Sequence, residues 1–84
     1  MRDIRVATVQ FENRDNDKPF NLGRIDALTR QAVAEGAEIV SFHEGCIPGY
    51  TWIQPLTKDQ LLEIAEIVPD GPPVQRLLVI ARQH

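Results

Sequence analysis

Residues 43–52 concentrate the side chains of this sequence that could do chemistry. The segment reads His-Glu-Gly-Cys-Ile-Pro-Gly-Tyr-Thr-Trp, and its Gly and Pro residues predict a loop. Glu44 comes just after a predicted strand, where a carboxylate can take a proton from a reacting group as a general base. The alternative interpretation is a solvated glutamate, or one that caps a neighbouring backbone turn. The residues alone leave both interpretations of Glu44 open.

Cys46 and His43 offer a different, nucleophilic chemistry. In an extended segment, Cys46 would lie on the same side of the chain as Glu44, within reach of its carboxylate. A nearby anion disfavours the thiolate, and Gly45 favours a bend, so a small packed side chain is the alternative. His43 could exchange protons near neutral pH or hydrogen-bond within its own loop. The sequence leaves the roles of both residues open.

Two aromatic residues close the same segment. Aromatic walls with a few polar groups are typical of small-molecule sites, so Tyr50 is predicted to bind substrate. Anchoring of the loop against the core is the alternative for Tyr50 and the favoured interpretation for Trp52.

The elements that must position this loop form a βαβ unit. Residues 4–11 and 37–42 are short and rich in β-branched side chains, which predicts strands that are covered on both faces. Between them lie a polar loop over residues 12–18 and a helix that begins at Pro19 and ends at Gly36. Such a unit makes its strands parallel, so their carboxyl ends share one edge, close to Glu44.

Two further helices are predicted after the loop. Residues 57–60 read as a capping box. The helix that they open would turn its apolar residues toward the core, namely Leu61, Leu62, Ile64, Ala65 and Val68. Another helix begins near Pro73, with one apolar stripe formed by Val74, Leu77, Leu78 and Ala81. It reaches His84 without a capping residue, so we expect a partial domain, residues 1–84, that is cut after His84.

Composition excludes several classes of protein. The 84 residues carry a net charge of −3 and no cluster of basic residues, which argues against a nucleic-acid partner. One cysteine allows neither an internal disulfide nor a zinc site. The start of the chain lacks a secretory apolar region, and no apolar run approaches the ~20 residues of a membrane span. We expect a cytoplasmic protein with no membrane partner, in which Lys18, Lys58 and His84 are solvated surface.

Several short motifs follow one another in a specific order. They are an opening strand that ends in Gln10, an early helical Asn21, a small-residue turn at Gly36, Glu44 after the second strand, Gly49-Tyr50, and a helix start at Gly71-Pro72. Each motif alone is weak. Together, over essentially the whole chain, they resemble the amino-terminal third of the nitrilase superfamily, the carbon–nitrogen hydrolases. One departure is His43, which stands where the family commonly has proline.

The resemblance implies a fold and an activity. The fold class is α/β, with this chain as the amino-terminal βαβ-α-α portion of a nitrilase-like α-β-β-α sandwich. The activity is hydrolysis of an amide, nitrile or N-carbamoyl group through a Glu-Lys-Cys triad, of which only Glu44 matches this sequence. The resemblance further implies a small-molecule substrate, a homo-oligomer, and neither metal nor organic cofactor. The lysine and the nucleophilic cysteine would lie downstream, so this chain alone is predicted to be inactive. The alternative is a catalytically inactive module that acts through association.

Overall fold

The computed structural model describes residues 2–66 and 68–84. In chain order, the elements in these ranges are β1 (Val6–Val9), α1 (Lys18–Ala34), β2 (Ile39–Phe42), α2 (Tyr50–Ile53), α3 (Lys58–Ile64) and α4 (Pro72–Gln83). None of these helices is long and apolar enough to cross a membrane.

The two strands pair in parallel, as the βαβ pattern predicts. Val6 lies opposite Ile39, and Val9 lies opposite Phe42 at the other end of the pairing. Both strands therefore finish at one edge, and the loop that carries Glu44 begins there. The strands are shorter than the predicted 4–11 and 37–42. Their register runs from Val6 and Ile39 to Val9 and Phe42, and one further bond joins the Glu38 N–H to the Arg5 carbonyl oxygen at 2.8 Å.

The prediction that the strands are covered on both faces is wrong for the described residues. The side chains alternate, so Val9, Val40 and Phe42 turn toward the helices and are partly buried. On the other face, Val6 and Ile39 are 54% and 51% exposed. The described helices that contact the strands pack on one face only. The other face, which we call the bare face, exposes Val6, Thr8, Ile39 and Ser41.

Helix α1 agrees closely with its predicted bounds. The Asp17 side chain caps it by accepting a hydrogen bond from the Phe20 N–H at 3.1 Å. Its end is followed by Gly36, whose φ of +93° lies in the left-handed region that favours glycine. The residues that it buries are Asn21, Leu22, Ile25, Thr29 and Ala32. This stripe faces α4 and the sheet.

Helix α4 packs against α1, but with a different face from the predicted one. The core cluster consists of Leu22, Ile25 and Ile80, with Phe42 and Leu77 among the partly buried residues around it. The predicted stripe included Leu78 and Ala81, which are exposed, and omitted Ile80. Leu77 and Ile80 lie three positions apart, on one side of the helix, and so define the side that meets α1.

Helix α3 forms as predicted, but its apolar side is not buried. The Thr57 hydroxyl accepts from the Gln60 N–H, and the Gln60 side chain accepts from the Thr57 N–H, so both halves of the capping box are present. Leu61 and Leu62 are exposed, Leu62 by 62%. The prediction that this helix faces the core is therefore wrong in the described chain. A helix cap depends only on neighbouring residues, so it does not predict whether other segments cover the helix.

Two residues predicted to be solvated surface bind acidic side chains instead. The Lys18 ammonium pairs with the Glu66 carboxylate and joins the start of α1 to the segment after α3. His84 Nε2 lies 2.9 Å from Asp26 Oδ1, and Arg76 donates to Oδ2 of the same carboxylate at 2.8 Å. These pairs connect parts of the chain that are far apart in sequence, so local patterns do not reveal them.

Candidate active site

Glu44 lies in a turn just past the carboxyl end of β2. Its side chain is exposed, and none of the described residues donates a hydrogen bond to its carboxylate. The carboxylate is therefore open to solvent and to any group that approaches the edge of the sheet. The backbone of the turn sets the point from which the Glu44 side chain extends.

That backbone is held by Asn21, a fully buried residue in the first turn of α1. The Asn21 Nδ2 group donates to the carbonyl oxygen of Ile47 at 2.6 Å and to that of Arg14 at 2.8 Å. Its Oδ1 accepts from the Arg14 N–H at 2.8 Å. One side chain thus joins two loops, residues 12–17 and residues 43–49, which we call the paired loops.

A second set of contacts joins the paired loops without Asn21. The Asn16 N–H donates to the Pro48 carbonyl oxygen at 2.9 Å. Gly49 is buried with a φ of +102°, and a Cβ atom there would lie 2.9 Å from Asp15 Oδ1 and 3.1 Å from Asn13 Nδ2. The approach is so close that only glycine fits at position 49 without a shift of the neighbouring loop.

Tyr50 folds back onto the start of the Glu44 loop. It opens α2, and a Cβ atom at Gly45 would lie 3.0–3.1 Å from Tyr50 atoms. The Gly49 N–H also donates to the Gly45 carbonyl oxygen at 2.9 Å, which closes the loop. Tyr50 is 41% exposed and packs against the residue that follows Glu44. Trp52, in the same short helix, is half-buried.

The contacts of His43 and Cys46 indicate packing roles. The His43 ring meets the Phe11 ring edge-on at a centroid distance of 5.0 Å. Its Nδ1 is buried without a hydrogen-bond partner among the described residues, so this atom does not bond to the loop. Cys46 contacts the core cluster, and burial raises the pKa of its thiol. The geometry supports the interpretation of Cys46 as a small packed side chain.

The bonds made by Asn21 are the part of the site that reasoning from the sequence missed. The sequence contained a signal for them, because Asn21 precedes Ile25 by four residues and shares the buried stripe of α1. A polar residue on such a stripe must find hydrogen-bond partners inside the protein. Which carbonyl groups it meets depends on how the loops fold and cannot be read from the stripe.

A groove between α1, β2 and α4 lies away from Glu44. It has a volume of about 460 Å³ and is lined mainly by apolar residues of α1, β2 and α4, among them Ile25, Val40 and Ile80. Neither Glu44 nor Tyr50 lines it. Among the described residues, no three His, Cys, Asp or Glu side chains are grouped so that they could hold a metal ion.

Comparison with known protein families identifies the chain. The model of the carbon–nitrogen hydrolase family matches residues 5–84. The chain belongs to the carbon–nitrogen hydrolase family. This confirms the resemblance to the amino-terminal portion of the nitrilase superfamily.

A curated carbon–nitrogen hydrolase relative is the nitrilase of Penicillium rubens. It is 39% identical over 51 residues, which are 61% of this chain and 16% of that nitrilase. The match thus spans less than a fifth of the relative's length. No solved structure matched the chain. Membership of the family implies the nitrilase fold, and the mixed helices and parallel strands described above agree with that fold.

Proposed function

We propose that these residues belong to an enzyme that hydrolyses a non-peptide carbon–nitrogen bond, in an amide, a nitrile or an N-carbamoyl compound, with Glu44 as general base. The observation that carries the proposal is the exposed Glu44 carboxylate just past β2, at the edge where both parallel strands end. Ligands of open α/β sheets bind at such an edge. Family membership supports the class of reaction.

The proposed reaction uses a Glu-Lys-Cys triad. Glu44 takes the proton of a cysteine thiol, and the thiolate attacks the carbonyl or nitrile carbon. A lysine ammonium stabilises the negative charge that develops on the attacked group. When the substrate is an amide, its nitrogen leaves with the proton held by Glu44, and water then releases the acyl group from sulfur.

We assign neither the lysine nor the attacking cysteine to this chain. Lys18 is engaged with Glu66, and Lys58 lies in the first turn of α3. Cys46 packs against the core, and its raised thiol pKa disfavours the thiolate that attack requires. We therefore propose that the 84-residue chain is inactive without the residues that supply these two groups.

Tyr50 is the proposed substrate-binding residue. Its partly exposed side chain packs beside Gly45, the residue that follows Glu44 in the chain. An aromatic side chain in this position offers apolar contact area to a small molecule near the reacting group. The substrate in this proposal is a small molecule, and no nucleic acid or membrane takes part.

The rest of the proposal concerns the whole enzyme. The bare face of the sheet, which includes Val6 and Ile39, is where the second sheet of an α-β-β-α sandwich would pack. We propose this sandwich for the complete enzyme, together with a homo-oligomeric state and a cytoplasmic location.

The test of the proposed base is the substitution E44Q in the full-length protein, assayed against amides, nitriles and N-carbamoyl compounds. A positioned general base contributes about 10²–10⁴-fold to a rate, so we expect kcat/KM to fall by at least 10². E38Q is the control, because Glu38 is also exposed but precedes β2 at its other end. Unchanged turnover in E44Q would refute the proposal, and so would turnover by the 84-residue chain alone.

A second candidate is an inactive module that acts through association, and the exposed Val6 and Ile39 side chains on the bare face favour it. Exposed apolar patches often mark contact surfaces. If this is the function, the full-length protein will show no Glu44-dependent hydrolysis of any of the three substrate classes, while it still forms stable assemblies in light-scattering measurements.

A further inference from the structure

Asn21 is a buried polar residue of the described core whose side-chain amide forms three hydrogen bonds. It has no exposed surface, and it uses both amide hydrogens and its carbonyl oxygen in hydrogen bonds of 2.6–2.8 Å. Its partners are backbone groups of Arg14 and Ile47, one in each of the paired loops. A buried side chain that satisfies three backbone groups in two loops fixes both loops relative to α1.

The remaining contacts make the paired loops one unit. Asn16 donates to Pro48 across the loops, and Gly49 fits against Asp15 with no room for a Cβ atom. The first loop is itself anchored to α1, because the Arg14 guanidinium lies 3.7 Å from the centre of the Phe20 ring. A displacement of either loop therefore requires a displacement of the other.

The second loop of this unit carries the proposed base near one end and is followed at the other by the proposed substrate-binding residue. Glu44 lies near the beginning of the second loop, and Tyr50 follows its end. None of the described residues donates a hydrogen bond to the Glu44 carboxylate, so the loop backbone sets the point from which this side chain extends. Gly45 accepts a hydrogen bond from Gly49 and packs against Tyr50, which connects the two ends.

We infer that Asn21 is a positioning residue for Glu44, acting through the Ile47 carbonyl and the paired loops. The inference rests on the proposed function, since it concerns the same carboxylate. General-base catalysis requires the base within hydrogen-bond reach of the proton that it takes. A displacement of about 1 Å that originates away from the reacting atoms can lower a rate by about 10². Loss of the Asn21 hydrogen bonds therefore displaces the base and lowers the rate, although Asn21 itself does not contact the substrate.

The first test compares N21A with T29A in the full-length protein. Thr29 is also a buried polar residue of α1, but it lines the groove beside β2 and α4. We expect N21A to lower kcat by about 10², because the base is displaced from its productive position. T29A should leave kcat close to wild type. A purely structural role for Asn21 predicts equal kcat per folded molecule in both variants.

Hydrogen exchange on the same variants reports the loops directly. The Asn16 N–H and the Gly49 N–H bond to other residues, not to Asn21. We expect both to exchange faster in N21A and to keep their protection in T29A. Unchanged protection in folded N21A would overturn the inference.

A second pair of variants keeps the inference testable if N21A does not fold. G49A leaves Asn21 intact and pushes the paired loops apart, because its new Cβ atom would meet Asp15. G23A is the matched control, since a Cβ at Gly23 has open space around it. We expect G49A, and not G23A, to lower kcat.

The outcomes separate this inference from the proposed function. If E44Q abolishes turnover while N21A and G49A keep wild-type kcat, the positioning role is wrong and the base assignment stands. If E44Q is fully active, the base assignment is wrong, and the exchange data still decide whether Asn21 holds the loops.

Discussion

At the scale of single residues, Glu44 and Cys46 can each exchange a proton, but their different surroundings give them different roles. Glu44 is exposed, whereas Cys46 is half-buried against the core cluster. Burial removes water from the thiol and penalises its charged form, so the pKa of Cys46 is raised. At neutral pH the Cys46 side chain is an uncharged packing group.

This reading of Cys46 predicts the behaviour of C46A. The full-length variant should keep wild-type turnover and lose about 1 kcal/mol of unfolding free energy from reduced packing. In the wild type, alkylation of Cys46 should reach half its maximal rate at a pH above the ordinary thiol value of about 8.5. Loss of turnover in a folded C46A, or half-maximal alkylation below pH 8.5, would point instead to a nucleophilic role.

At the scale of elements, α1 and α4 are joined by both apolar and ionic contacts. Ile25 and Ile80 form the apolar part, and Asp26 on the neighbouring position of α1 binds Arg76 and His84. The hydrogen bond from His84, followed by the charge of Arg76, holds the pKa of Asp26 below its ordinary value. Ionised Asp26 therefore stabilises the pairing of the two helices.

The direction of this shift predicts how stability depends on pH. Because the folded-state pKa of Asp26 is depressed, its contribution is present above the unfolded-state pKa of about 3.9 and is lost as the pH falls through the folded-state value. D26N should have a lower free energy of unfolding than wild type at pH 6. The plots of unfolding free energy against pH for the two proteins should converge at low pH. D3N, which alters an exposed carboxylate, is the control. A gap between wild type and D26N that persists at the lowest pH would contradict the prediction.

The helices and strands also show which structural features can be predicted from the sequence. Helix α1 and the capping box of α3 were predictable because Pro19, the apolar period, Gly36 and Thr57 are signals carried by neighbouring residues. The parallel pairing, and the place of the Glu44 loop at its edge, followed from the βαβ rule. Which side of α3 or α4 is covered was not predictable, because it depends on contacts between distant segments. The bonds of Asn21 were missed for the same reason.

At the scale of the whole molecule, the described fold is open. Its radius of gyration is 14.1 Å, against about 12 Å for a compact domain of this length. The dimensions of 45 × 26 × 25 Å describe an elongated shape, and the buried apolar core consists of Leu22, Ile25, Ala32 and Ile80. Much of the apolar surface, including the bare face of the sheet, is left uncovered.

The proposed sandwich predicts what a charge on that face will do. I39K should change the unfolding free energy of the 84-residue chain by no more than about 0.5 kcal/mol, since Ile39 is exposed there. In the full-length protein the same lysine would be buried between sheets and should cost several kcal/mol. Q31K, on the exposed side of α1, should be tolerated in both. Equal tolerance of I39K in both proteins would argue against a second sheet on this face.

The tight fit of Gly49 against Asp15 also limits how this chain can change over evolution. An insertion or deletion in residues 12–17 alters the span that residues 43–49 must match, so neither loop can change length alone. We expect length changes in one loop among relatives to be accompanied by compensating changes in the other. A larger residue at position 49 should occur together with a smaller one at position 15.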